Sequence, residues 1–203
     1  NHQYDDASQE ISSQDFLHAS NYLDLMINLA VKYEAKFLLS SSIRAHQLIL
    51  NNTDIDMNFG KAVSKTQKVY TQLEIQRYAE ALTLESVEKL NLNARITRLG
   101  YIIGPNMVFD LSANFDRLVV QAAQGQDLEV YSDGLETTMY VHVLDAAYGI
   151  IKAMFAKGTS GDIYSIANEE EVTDLSIAYR LQEMTGLNRE IKFVDSKDAL
   201  PPI

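Results

Sequence analysis

Hydroxyl-bearing residues that could do chemistry include a serine triplet, Ser40, Ser41 and Ser42, which closes a short apolar run, and 11 tyrosines, among them Tyr70 in a helical pattern. A phenol has a pKa near 10 and serves as a base at neutral pH only where a positive charge lowers that value. One helical turn beyond Tyr70 the residue is Glu74, whose carboxylate acts in the opposite sense. Arg77 is seven positions on, roughly 10 Å along a helix axis, and Lys68, two back, points elsewhere. Other chemistries are poorly served. There is no cysteine, which excludes disulfides, thiolate metal sites and a cysteine nucleophile. His2, His18, His46 and His142 are scattered, none four residues from another, so no metal site is expected. Glu169, Glu170 and Glu171 precede a helical pattern and read as a solvated turn. No G-x-G-x-x-G occurs, so the sequence shows no phosphate-cradling turn.

The elements that must position these residues alternate in type. Phe16, Ala19, Leu23, Met26, Ile27, Ala30 and Tyr33 recur at spacings of three and four, which predicts an amphipathic helix over residues 13–33. Ala35 to Leu39 suits a buried strand running into the serines. The stretch 51–60 has loop chemistry. A long helix is predicted from Ser64 to Leu90 with Val69, Tyr70, Leu73, Arg77, Ala81, Leu84 and Val87 on one face. A β-rich run covers 94–104, a helix 118–124, and strands 128–132 and 137–143 flank the turn signal Asp133-Gly134. A helix over 145–158 is expected to close at Gly158, followed by a strand at 162–168. Thr173 looks like the N-cap of a helix that Gly186 ends, and residues 190–195 form a last strand. Strands alternating with helices imply a parallel sheet covered on both faces, with ligands at the carboxyl ends of the strands.

The 203 residues suffice for one domain with a sizeable core, and 46% of them are hydrophobic, too many for a disordered chain. With 17 Lys and Arg against 28 Asp and Glu, the net charge of −11 makes nucleic acid or an anionic membrane a poor partner. No apolar run approaches the ~20 residues of a membrane span, and the polar opening shows no signal peptide. A chain that begins at Asn1 without Met reads as an excerpt of something longer.

Several of these stretches, in their order, resemble the extended short-chain dehydrogenase/reductase family, the NAD-dependent epimerases and dehydratases of nucleotide sugars. AKFLLSSS (35–42) resembles the strand ending in serines, Tyr70 the family tyrosine, and ITRLGYIIGPN (96–106) the strand ending in V-Y-G-P. LEVYSDGLETTMYVHVLDAAYGI (128–150) and IYSIANEEEVTDLSIAYRLQEMTG (163–186) resemble the segments that follow. Within the family, AKFLL and the helix before it look nearest to UDP-glucuronate decarboxylases. The resemblance implies a Rossmann-like, doubly wound parallel sheet with a small C-terminal substrate-binding α/β part. Residues 1–125 would be the later half of the NAD-binding domain, and 126–203 mainly the substrate part. The chain would begin after the family's fourth strand, so that the Gly-rich turn and the first strands lie upstream.

The resemblance also implies a reaction. In such enzymes a tyrosine phenolate takes a sugar hydroxyl proton while hydride passes to NAD, a serine hydrogen-bonds the same hydroxyl, and a lysine four residues after the tyrosine lowers its pKa. Carried over, Ser42 and Tyr70 are the catalytic pair, with Glu74 at the usual lysine position. Ser40, Ser41, Tyr70 and Gly100 would contact the cofactor, NAD rather than NADP. Tyr101, Asn106, Arg117 and Thr138 would contact a nucleotide sugar. Two of these depart from the pattern, with Tyr101 in place of asparagine and Thr138 in place of the arginine that pairs with the diphosphate. Arg117 could compensate, but it reads first as a solvated surface charge. Asp145 matches an aspartate that caps the next helix. A cytoplasmic homodimer is implied, packed through the helices near 13–33 and 64–90. The alternative is a catalytically degraded member of the same fold that serves as a binding or scaffold subunit.

Overall fold

A computed structural model describes residues 13–44, 65–111, 113–186 and 190–195, with backbone alone at 13–16 and 65–73. The expected loop at 51–60 lies outside the described residues. The chain packs as two compact units. One holds the described residues up to Ile96 together with Lys157–Asp162; the other holds Thr97–Ala156 and the described residues from Ile163 onward.

In the first unit, helix α1 (Ser13–Lys32) leads to strand β1 (Phe37–Ser42), and helix α2 (Lys65–Leu90) leads to β2 (Ala94–Leu99), which begins here beside β1. α1 ends in a Schellman motif. Glu34 takes the left-handed conformation at φ 49°, its N–H donates to the Val31 carbonyl at 3.2 Å, and Ala35 N–H reaches back to Ala30 at 2.8 Å. Ile27 and Ala30 are buried with Leu92 and Ala94, packed by Leu23, Val31, Phe37, Leu82 and Val87. The buried stripe of α1 is thus narrower than the apolar spacing predicted: Ala19 is exposed, and Tyr33 lies past the helix end in solvent. The face of α2 differs as well. Its buried residues include Glu80, Thr83 and Ser86, whereas Arg77 and Ala81 are exposed. Thr83 Oγ1 donates to the Ala79 carbonyl at 2.8 Å and Ser86 Oγ to Leu82 at 2.7 Å, so both hydroxyls are satisfied by their own helix and can be buried. A count of apolar residues misses such a face. The serines close the strand as expected, as its last three residues.

In the second unit, the end of β2 runs beside β6 (Ile163–Ile166), and the run expected over 94–104 breaks at Gly100 into β2 and β3 (Tyr101–Ile103). β5 (Thr137–His142) pairs parallel to β3, with Tyr101 opposite Tyr140, and antiparallel to β7 (Glu171–Thr173), with Thr138 opposite Val172. β4 (Leu128–Tyr131) pairs parallel to β8 (Ile191–Val194). The strands on either side of Asp133-Gly134 therefore enter different sheets, although the turn is real, with Gly134 at φ 70°. Helices α3 (Asn114–Ala123), α4 (Val143–Phe155) and α5 (Asp174–Thr185) complete the unit. Leu118 and Ala122 of α3, Ile177 and Ala178 of α5, and Leu128 and Val130 of β4 form its core.

Three boundaries correct the sequence reading. α3 starts four residues before the predicted Leu118, because its buried face takes in the polar Asp116 and Arg117 beside Leu118 and Ala122, and an apolar count does not register them. α4 ends at Phe155 with Ala156 as its cap, and Gly158, at φ 70°, lies two residues beyond that cap. The cap at the other end of α4 is His142, whose side chain accepts from Leu144 N–H at 3.3 Å; Asp145 sits in the first turn instead. The N-cap of α5 is as predicted: Thr173 Oγ1 accepts from Ser176 N–H at 3.2 Å, and Gly186 closes the helix at φ 63°.

Candidate active site

The residues expected to do chemistry fall in both units. In the first, β1 delivers the serines in alternation. Ser40 is exposed, Ser41 is buried at 7% exposure, and Ser42 is half-buried. Ser42 Oγ accepts the Arg44 backbone N–H at 3.2 Å, which leaves its proton available to a further acceptor. Ser41 Oγ is buried without a hydrogen-bond partner among the described residues, which is costly for a hydroxyl. Tyr70 lies on α2, one turn before Glu74, and its side chain lies outside the described residues. Glu74 is exposed and accepts from Arg77 Nη1 at 2.8 Å. The guanidinium seven residues after Tyr70 is therefore engaged with the carboxylate that stands where a lysine would be.

In the second unit two of the expected site residues, Tyr101 and Arg117, meet at α3, while Gly100, Asn106 and Thr138 lie elsewhere in the unit. Gly100 passes close to rigid neighbours, since a Cβ there would lie 2.6 Å from the Met139 carbonyl oxygen and 2.8 Å from Ala167 Cβ. The next residue, Tyr101, turns its phenol to α3 and donates to Asp116 Oδ1 at 2.8 Å. Its ring forms a cluster with Phe115 and Tyr140, at centroid distances of 6.1 and 5.6 Å. Burial, and then the hydrogen bond to Asp116, hold the Tyr101 phenol well above its ordinary pKa, so it is a proton donor and not a base. Asn106 is exposed in the following loop, with φ 66°. Thr138 is half-buried on β5.

Arg117 is no surface charge. It is 9% exposed, with its guanidinium 3.9 Å from the centroid of the Tyr131 ring. Nη2 donates to Asn114 Oδ1 at 3.2 Å and to the Glu129 carbonyl at 3.3 Å, while Nε is buried without a partner among the described residues. Asn114 in turn donates to Asp174. The cation is thus held by neutral acceptors and an aromatic face, an arrangement that leaves its charge uncompensated by any carboxylate in direct contact among the described residues.

A cleft of about 610 Å³ opens in the same unit, with Tyr140, His142, Asp145, Ser165 and Asn168 among its lining residues. Its size suits a small molecule. Tyr101, Asn106, Arg117 and Thr138 are not among the residues that line it. The sequence reading passed over Asp116, the residue most embedded in the site. At 1% exposure, an acidic residue in a helix has no apolar pattern to betray it, and only the Tyr101 and Asp110 donors make its burial possible.

The profile of the NAD dependent epimerase/dehydratase family matches residues 61–167, more than half of the chain. The chain belongs to this family. Among curated relatives it is 29% identical over 168 residues to UDP-glucuronic acid decarboxylase 4 of Arabidopsis thaliana, covering 83% of this chain and 37% of that protein. It is 32% identical over 130 residues to UDP-N-acetyl-alpha-D-glucosaminuronate decarboxylase of Bacillus cytotoxicus, covering 61% of this chain and 40% of that protein. Among solved structures, an epimerase from Methanothermobacter thermautotrophicus superposes with a TM-score of 0.72 at 17% identity, over 91% of this chain and 55% of the other. UDP-glucuronic acid 4-epimerase of Bacillus cereus, solved with UDP-glucuronic acid and NAD, gives 0.68 at 17% identity, over 90% and 55%. These superpositions establish the Rossmann-like α/β fold expected from the sequence, of which this family member carries a part. The chain spans about half the length of these structures and 37–40% of these two curated relatives. No helix among the described residues is long and apolar enough to cross a membrane.

Proposed function

We propose that this family member forms part of an NAD-dependent enzyme that transforms a nucleotide sugar by transient oxidation at a sugar carbon, with a UDP-sugar acid as substrate. The observation that carries this reading is the family match over 61–167, which spans Tyr70 and the β2–β3 strand end. The two decarboxylase relatives favour a uronate-type sugar. Bound NAD would supply the hydride acceptor. The residues present fit it in one respect: the Ser41 hydroxyl at the serine-bearing end of β1, unpartnered among the described residues, is a polar atom that a ligand would satisfy. Ser40, Ser41 and Gly100 would border the nicotinamide, Ser42 would hold the reacting hydroxyl, and Tyr70 would take its proton. On the substrate side, Arg117 would supply the charge that Thr138 lacks, beside Tyr101 and Asn106. In this reading residues 1–125 serve mainly the cofactor and 126–203 mainly the sugar, and the setting is cytoplasmic.

A homodimer belongs to the same reading. Tyr22, Leu25 and Leu29, spaced three and four apart on α1, are all exposed, so the helix shows a second apolar stripe besides the one packed inside its unit. A like helix of a second copy would cover it.

One observation favours a different reading, a binding or scaffold subunit with a decayed catalytic set. Arg77 and Glu74 neutralise each other at 2.8 Å, so the cation that follows Tyr70 on α2 is already engaged. The test uses the full-length protein with whatever precedes Asn1. Denaturation should release NAD, identified by mass and absorbance, and incubation with UDP-glucuronate should yield a new sugar nucleotide by NMR, lost in Tyr70→Phe. Bound NAD without turnover would favour the scaffold; neither NAD nor UDP-glucuronate binding would refute both readings.

A further inference from the structure

The carboxylate of Asp116 is held from both sides. Oδ1 accepts the Tyr101 phenol at 2.8 Å and Oδ2 accepts the backbone N–H of Asp110 at 2.7 Å. The side chain is 1% exposed, and these two donors satisfy both of its oxygens in the interior. The donors come from opposite ends of one segment. Tyr101 begins β3, and Asp110 ends the loop that follows it. The loop's tight turn is closed by a long 3.4 Å contact from Met107 N–H to the Gly104 carbonyl, and Val108, Phe109 and Leu111 are exposed. At its far end the Asp110 carbonyl accepts N–H of Ala113, the cap residue of α3, at 2.8 Å, so Asp110 is tied to α3 through its amide and to its cap through its carbonyl. Asn106, held at φ 66°, lies between the two anchor points. On the Tyr101 side the strut is stiffened by the ring cluster, where Phe115 and Tyr140 also stand 5.2 Å apart.

We infer that Asp116 is a positioning residue: by clasping Tyr101 with one oxygen and the Asp110 amide with the other, it fixes the loop between them, and with it the placement of Asn106 against the sugar nucleotide. The functional half of this statement rests on the reading given under Proposed function; the structural half does not. The phenol where a smaller asparagine is the family pattern is then explained by reach, because a ring is needed to span from β3 to α3.

The experiment separates the two halves. Amide hydrogen exchange is followed in the full-length protein and its Tyr101→Phe, Asp116→Asn and Asp116→Leu variants, together with UDP-glucuronate affinity by calorimetry. Losing a hydrogen bond to a buried carboxylate should speed exchange within this loop, at the Met107 and Asp110 amides, about tenfold or more in Tyr101→Phe and further in Asp116→Leu, with α5 unchanged. Asp116→Asn keeps an acceptor oxygen for the Asp110 amide and should recover most of the protection. UDP-glucuronate affinity should fall about tenfold in Tyr101→Phe and recover in Asp116→Asn. Unchanged exchange at the Met107 and Asp110 amides in Tyr101→Phe, or exchange that rises equally in α5, would overturn the inference. Should Asp116→Leu not fold, Tyr101→Phe, which removes a single oxygen atom, decides the matter by itself. If the parent protein binds no UDP-glucuronate, the proposed function fails while the exchange data still decide whether Asp116 holds the loop.

Discussion

Replacing Gly100 with alanine places a methyl group where two neighbours already stand. The new Cβ would be 2.6 Å from the Met139 carbonyl oxygen and 2.8 Å from Ala167 Cβ. Neither can swing aside. The carbonyl belongs to the backbone of β5, which is paired on both sides, and an alanine methyl has no rotamer to change. Normal contact therefore requires the backbone around Gly100 to move. Gly100 N–H also donates to the Ile166 carbonyl at 3.0 Å, a bond that such a shift would weaken. Overpacking of this kind costs about 1–3 kcal/mol, and rigid neighbours on two sides put Gly100→Ala at the upper end, about 3 kcal/mol. With a urea slope of roughly 2 kcal/mol per molar, the unfolding midpoint should fall by about 1.5 M. Gly186→Ala is the control. Its Cβ meets nothing within 4 Å, and only the left-handed φ of 63° opposes it, at a cost of about 1 kcal/mol. Urea denaturation followed by far-UV circular dichroism reads both. If the two variants lose the same stability, the close approach at Gly100 is not the reason for glycine there.

Two further outcomes are expected. Because the folded protein holds the Tyr101 proton more tightly than the unfolded chain, its contribution to stability is intact below the ordinary phenol pKa, about 10, and is lost as pH rises above it; the parent should therefore lose stability more steeply above that pH than Tyr101→Phe, and equal slopes in urea titrations across pH 8–11 would contradict the buried donor. On α1, Leu25→Asp places a charge in the exposed stripe, so light scattering should report a monomer with unchanged circular dichroism where the parent is a dimer, and a monomeric parent would refute the dimer.

The sequence by itself carried the alternation of elements, both caps of α5 and the family order, because these rest on local chemistry. Thr173 caps whatever helix follows it, and Gly186 suits a left-handed closure wherever the chain then goes. The periodicity of α1 also reported a helix correctly, since Ile27 and Ala30 meet the core at the expected spacing. What tertiary structure decided concerns polar groups whose burial depends on distant partners. Thr83 and Ser86 are buried because they bond back to their own helix, so the face of α2 turned away from the apolar count. Arg117 looked like a surface cation and is instead enclosed by Tyr131, Asn114 and a β4 carbonyl. Asp116 carried no signal at all, because a carboxylate is tolerated inside only where two donors converge on it, and those donors, Tyr101 and Asp110, are brought together by the fold and not by spacing along the chain.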